Sequence, residues 1–133
     1  MRVFFDTNVL ISAFTARGLC ADLFKGTIAS CTLVVSEPLF AEIRRILAEK
    51  FEASQEFVDE AIHVIEQDAV TAAAHPLRDI RIKDRDDVRI LSSALQGAAD
   101  VFVTGDKEVL ELRKVDGMRI VSPRQFWDVL RSR

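Results

Sequence analysis

The chain alternates short, unbroken apolar runs with longer segments in which apolar residues recur every three or four positions. An unbroken run fits a strand buried on both faces, and the wider spacing fits a helix with one buried stripe. Arg2-Val3-Phe4-Phe5 is the first strand-like run, and it stops at Asp6. Asn8 to Phe14 and Cys20 to Phe24 read as helical, divided by Gly18. Thr32 to Val35, rich in β-branched residues, predicts a second strand. Ser36 then caps a helix running to about Phe51, with Leu39, Ile43, Ile46 and Leu47 on one side. A further helix, Gln55 to Gln67, turns Phe57, Ala61, Ile62 and Ile65 inward. His75 to Arg85 is polar, contains Pro76, and reads as a loop with room for a short strand. Asp86 to Ala98 predicts a helix that buries Ile90, Leu91, Ala94 and Leu95. Val101 to Thr104 predicts a strand with Gly105-Asp106 as its exit turn, Val109 to Leu112 a short helix, and Met118 to Val121 another strand. Ser122-Pro123 opens a last helix, with Ser as cap and Pro in the first turn.

The order β-α-α-β-α-α-α-β-α-β-α predicts an α/β fold with a mostly parallel sheet and helices on both faces. No repeat or linker interrupts it, so residues 1–133 read as one domain. The hydrophobic share of 49% excludes a disordered chain. Cys20 and Cys31 form no C-x-x-C and are too few for a disulfide framework, which predicts reduced, buried thiols in a cytosolic protein. Asp6 and Asn8 break the apolar stretch near the first residue, so it does not read as a signal peptide. Nothing approaches the roughly 18 uncharged apolar residues of a membrane span. With 18 Lys and Arg against 21 Asp and Glu, the formal net charge is −3. That balance excludes nucleic-acid binding through bulk positive charge, but not a local basic rim around an acidic site.

The acids carry the chemistry. In open parallel sheets, ligands bind outside the carboxyl ends of the strands. Asp6 directly follows the first strand, and Asp106 follows the Val101 strand after one glycine. Either could simply form a turn or cap a helix. Glu42 lies in the second turn of the Ser36 helix, at the rim of its buried face, where a solvated Glu is also ordinary. Asp87 aligns with Ile90, Leu91 and Ala94 on an inward face, although Asp84, Asp86 and Asp87 all complement the helix dipole. Four carboxylates on one sheet edge would repel one another, and a divalent cation removes that cost. An oxygen-only ligand set suits Mg²⁺ or Mn²⁺. The matching chemistry is phosphodiester hydrolysis, with the ion activating water and stabilising charge on the attacking and leaving oxygens.

Asp6-Thr7-Asn8-Val9-Leu10, Glu42, Asp87-x-x-Ile90-Leu91-x-x-Ala94 and Val103-Thr104-Gly105-Asp106, in this order and spacing, resemble the PIN-domain ribonucleases, and within them the toxin components of bacterial toxin–antitoxin pairs. The likeness runs from Val3 to about Val121. It implies a three-layer α/β/α sandwich and a Mg²⁺- or Mn²⁺-dependent endoribonuclease holding one or two ions on Asp6, Glu42, Asp87 and Asp106. It also implies products with 5′-phosphate and 3′-hydroxyl ends. Asn8 and Thr104 would orient the acids by hydrogen bonding, and Asp86 would be a cap or outer ligand. The implied partners are RNA and a small antitoxin protein, with homodimers usual in the family.

Arg78, Arg81, Lys83, Arg85 and Arg89 flank the acids but alternate with Asp residues, so they serve equally as a phosphate-binding rim or a solvated loop. Lys107 is a further phosphate candidate, and Arg44 and Arg45 could approach RNA or a partner, although as surface helix residues they need no function. His63 and His75 lack partners at ligand spacing. Phe126 and Trp127 read as packing for the last helix, and the many Phe without Tyr as core rather than a base-stacking platform. Two other classes compete. An Asp-nucleophile phosphotransfer domain of the haloacid-dehalogenase type would need an acid where Asn8 stands and another where Leu110 stands, and a receiver domain would order its acids differently. A catalytically inactive PIN-like scaffold would keep the fold without the chemistry.

Overall fold

The structure, a computed structural model, describes residues 1–73 and 77–132. In chain order the elements are β1 (Arg2–Phe5), α1 (Thr7–Thr15), α2 (Leu19–Ser30), β2 (Thr32–Ser36), α3 (Glu37–Lys50), α4 (Gln55–Gln67), β3 (Ala69–Ala72), α5 (Arg85–Gln96), β4 (Val101–Val103), α6 (Lys107–Leu110), β5 (Lys114–Val115), β6 (Met118–Val121) and α7 (Pro123–Arg131). The strands form one sheet in the order β3-β2-β1-β4-β6-β5. Every pairing is parallel except β5 with β6.

Val3, Phe4 and Phe5 of β1 and Leu33, Val34 and Val35 of β2 are all buried. Successive strand residues face opposite sides, so the sheet is covered on both. This explains why the central strands read as unbroken apolar runs. Apart from α2, which follows Gly18, the helices start where a side chain can cap them. Ser36, Ser54 and Ser122 accept the Leu39, Phe57 and Gln125 amides of α3, α4 and α7. Helices α3 and α5 pack on each other and on β2, and α2 packs on α7. Phe126 is wholly buried edge-on to Phe5, with Trp127 half-buried beside it, as expected for packing residues.

Several expectations are corrected. β3 and β5 were not foreseen in the sequence. β3 is an edge strand whose Val70 and Thr71 stay exposed, so its pattern carries little signal. β5 has only two residues and exists through pairing with β6. The short helix after β4 begins at Lys107 rather than Val109, because Asp106 caps it. Cys20 and Cys31 are thiols but half-buried rather than buried. His75 and Pro76 lie outside the described residues. Among the described residues no helix is long and apolar enough to cross a membrane.

Candidate active site at the carboxyl edge of the sheet

β1 and β4 lie side by side and end together. The Asp6 amide donates to the Val103 carbonyl at 2.9 Å, extending the pairing one residue past β1. Asp6 then caps α1, its Oδ1 accepting the Thr7 amide at 2.8 Å. Its Oδ2 accepts the Thr104 hydroxyl at 2.7 Å. Thr104, fully buried, also accepts the Asp106 amide on Oγ1 at 3.0 Å. A hydroxyl has one proton to give, and here it goes to Asp6. Thr104 thus fastens the two strand-end acids into one unit. Asp106 caps α6 through Oδ1, which accepts the Glu108 and Val109 amides at 2.9 and 3.4 Å. Its Oδ2 accepts no hydrogen bond among the described residues. Capping and ligation are therefore compatible, because each cap uses one oxygen.

Glu42 comes in half-buried from α3, and Asp87 half-buried from the first turn of α5. A buried hydroxyl pair sets these helices against each other. Ser36 and Ser93 stand 2.7 Å apart, and Ser93 gives its proton to the Ile90 carbonyl. Ser36 is therefore the donor to Ser93 while its own oxygen accepts Leu39 N. The cap of α5 is Asp84, whose Oδ1 accepts both the Asp86 and Asp87 amides. Asp86, expected as a cap or outer ligand, is not the cap; it is exposed and pairs with Arg89 at 3.0 Å. The helix starts one residue earlier than its sequence suggested because Asp84 reaches both amides.

The electrostatics show that the four acids share one region. Burial is the main cause of a raised Asp87 pKa, and the charges of Asp84, Asp6, Asp106 and Glu42 add to it, bringing it from 3.8 to about 7. Burial also raises Asp6, against the Thr104 and Thr7 hydrogen bonds, with Asp106 adding to the rise. Glu42 is raised by burial first, then opposed by the Thr7 hydroxyl and Arg45 and reinforced by Asp6 and Asp86. Among the described residues no three His, Cys, Asp or Glu side chains stand close enough to make a ready-formed cation cage.

The other expected residues are more scattered. Asn8 is exposed on α1 and its side chain makes no hydrogen bond among the described residues, so of the two expected orienting residues only Thr104 holds an acid. Arg85 and Lys107 are exposed at the starts of α5 and α6, near Asp87 and Asp106 in sequence. Arg89 lines a cleft of about 210 Å³ between α3 and α5, with Glu42, Arg45 and Asp86. Thr7 was missed by the sequence reading. It is buried, its Oγ1 finds no partner of hydrogen-bond geometry, and yet it lies near enough to Glu42 to restrain its pKa. A small hydroxyl residue just after a strand-end Asp was the available signal.

Among curated proteins no sequence matches this chain. In fold it is similar to a chain of VapBC2 from Rickettsia felis, solved bound to a DNA fragment from their promoter. The TM-score is 0.67 at 13% identity, covering 92% of this chain and 98% of that one. It is also similar to PAE2754 from Pyrobaculum aerophilum, with a TM-score of 0.66 at 14% identity, covering 100% of this chain and 91% of that one. The PIN domain family model matches residues 2–108, which include all four acids and the elements that carry them. The chain belongs to the PIN domain family.

Proposed function

We propose that this protein is a divalent-metal-dependent endoribonuclease acting in the cytoplasm, with Asp6, Glu42, Asp87 and Asp106 as its catalytic and metal-holding acids. The observation that carries the reading is the convergence of these carboxylates from separate elements onto one sheet edge, close enough for Asp87 to feel the other three. The donor set fits Mg²⁺ or Mn²⁺. Mg²⁺ is usually held by one or two carboxylates and keeps several waters, so it needs no ready-formed cage. The uncommitted Asp106 Oδ2 and the unpartnered Thr7 hydroxyl are further oxygens for the ion or its waters. When bound, such an ion makes water a stronger nucleophile at neutral pH and stabilises charge on the leaving oxygen.

The chain's own residues supply the rest. Thr104 holds Asp6 in one orientation and fixes the Asp106 loop beside it. Asp87 keeps its carboxyl proton up to about pH 7 and loses it where positive charge gathers beside it. Arg85, Arg89 and Lys107 supply phosphate contacts around the acids. The exposed Arg89–Asp86 pair is weak enough to exchange for a phosphate.

The test is cleavage of end-labelled RNA with and without EDTA, alongside Asp6→Asn and Asp106→Ala. We expect Mg²⁺- or Mn²⁺-dependent cleavage that leaves 5′-phosphates. Each variant should lose more than the roughly 10- to 100-fold typical of an outer partner. Wild-type rates in either variant would refute the site assignment. The fold shared with the VapBC2 chain supports a toxin role with a small antitoxin protein as inhibitor, and a homodimer as the toxin's own state is part of the same proposal. Light scattering on the purified chain reads the homodimer.

A further inference from the structure

Among the described residues, the arginines in ion pairs are Arg44, Arg45, Arg78 and Arg89, and Arg2 is spent on the Gly97 carbonyl. Arg113, Arg119 and Arg124 are exposed and have no such partner. These three line an open cleft of about 670 Å³ between α6, the β5–β6 hairpin and α7, together with Leu110 and Ser122. No acidic side chain lines it. The basic residues between Arg78 and Arg89, by contrast, alternate with acids. From Lys107 to Arg131 the sequence holds six basic residues against four acidic ones, in a chain whose net charge is −3.

The cleft joins the acid edge directly. Leu110 donates its amide to the Asp106 carbonyl at 2.9 Å, one helical turn away. Val121, which also lines the cleft, accepts the Thr104 amide at 3.0 Å. From there β6 leads back to Arg119, two residues and roughly 7 Å along the strand, opposite the first residue of β4. Arg124 stands in the first turn of α7, at the carboxyl end of the same strand. Guanidinium groups free of carboxylate partners match phosphate oxygens in a bidentate fork.

We propose that this cleft binds the phosphodiester backbone of RNA flanking the cleaved bond, carrying the strand from the acids over α6 and along β6. The proposal rests on the endoribonuclease reading for its direction, but its test does not depend on cleavage. The full chain is titrated against a fluorescein-labelled 12-nucleotide single-stranded RNA in EDTA, with anisotropy read across a salt series. For single strands each phosphate contact contributes about 0.7 to the slope of log affinity against log salt. Replacing Arg113, Arg119 and Arg124 together by Gln should lower that slope by about 2 and weaken binding roughly 10- to 100-fold at 0.1 M salt. Arg124→Gln alone should lower it by about 0.7. Circular dichroism melts confirm that the variants fold. Three outcomes would overturn the proposal. One is an unchanged slope. Another is an equal loss when Arg17, Lys25 and Lys50, exposed elsewhere, are replaced by Gln. The third is competition by polyglutamate as effective as unlabelled RNA, which would assign the cleft to an acidic protein segment. If the cleft variant loses binding while wild type cleaves no RNA with Mg²⁺ or Mn²⁺, the endoribonuclease reading fails and the cleft assignment stands.

Discussion

Asp87 is held in the folded protein where its charge is unwelcome, and replacing it by Asn should make the metal-free protein more stable at high pH. Its carboxyl binds a proton more tightly folded, with a pKa of about 7, than unfolded, at 3.8. Stability from that proton is complete below about pH 3.8 and is lost as pH rises to about 7. Each pH unit inside the window costs about 1.4 kcal/mol, so between pH 5 and pH 8 the ceiling is about 2.7 kcal/mol. Asp87 is only half-buried, and solvent screening reduces this to roughly 1.3 kcal/mol. The variant carries no charge there and loses none of it. For a domain of this length, the gap in Tm between Asp87→Asn and wild type should widen by about 4 °C from pH 5 to pH 8. Scanning calorimetry in EDTA reads it directly, and excess Mg²⁺ should narrow the gap by stabilising only the wild type. A gap that stays constant with pH would refute the argument, because it would mean that neither burial nor the neighbouring acids raise the Asp87 pKa.

Thr104→Val should destabilise the fold by about 1–3 kcal/mol, since it strips a hydrogen bond from buried Asp6 and orphans the Asp106 amide. Thr104→Ser should restore both stability and cleavage, and urea unfolding separates the two. Gly97→Ala should cost roughly 1–3 kcal/mol, because a Cβ there would stand 2.5 Å from Val34 Cγ1 and 3.1 Å from Ala72 Cβ; a normal Tm would show that α5 can move off β2. Ser36→Ala should lose about 1 kcal/mol or more from the cap of α3 and its bond to Ser93, together with cleavage if α3 and α5 then shift Glu42 against Asp87. Asp6→Asn should abolish the Mg²⁺- or Mn²⁺-induced rise in Tm, and an undiminished rise would move the ion elsewhere.

The legible parts of the fold were those written in local patterns. The central strands announced themselves because both faces are buried, leaving Val3 to Phe5 and Leu33 to Val35 without a polar break. The starts of α3 and α7 followed from Ser36 and from Ser122-Pro123. β3 and β5 were not legible, because one is an edge strand with two exposed residues and the other has two residues in all. The cap of α5 was misread because three Asp within four residues offer the same chemistry, and only backbone geometry selects Asp84.

For the candidate site, the sequence determined which chemistry is available: acids at strand ends and on two helices, with a hydroxyl beside each strand-end acid. Those properties depend on neighbours within a turn or two. What tertiary structure decided is the relation among them. Asp6 and Thr104 are 98 residues apart in sequence and 2.7 Å apart in space because β1 and β4 are neighbours. Ser36 and Ser93, 57 residues apart, set α3 against α5. The pKa of Asp87 and the unpaired arginines of the β6 cleft likewise depend on which charges are brought near and which are kept away. Local pattern cannot carry that information, because electrostatic energy depends on distance and burial in the folded chain rather than on spacing along it.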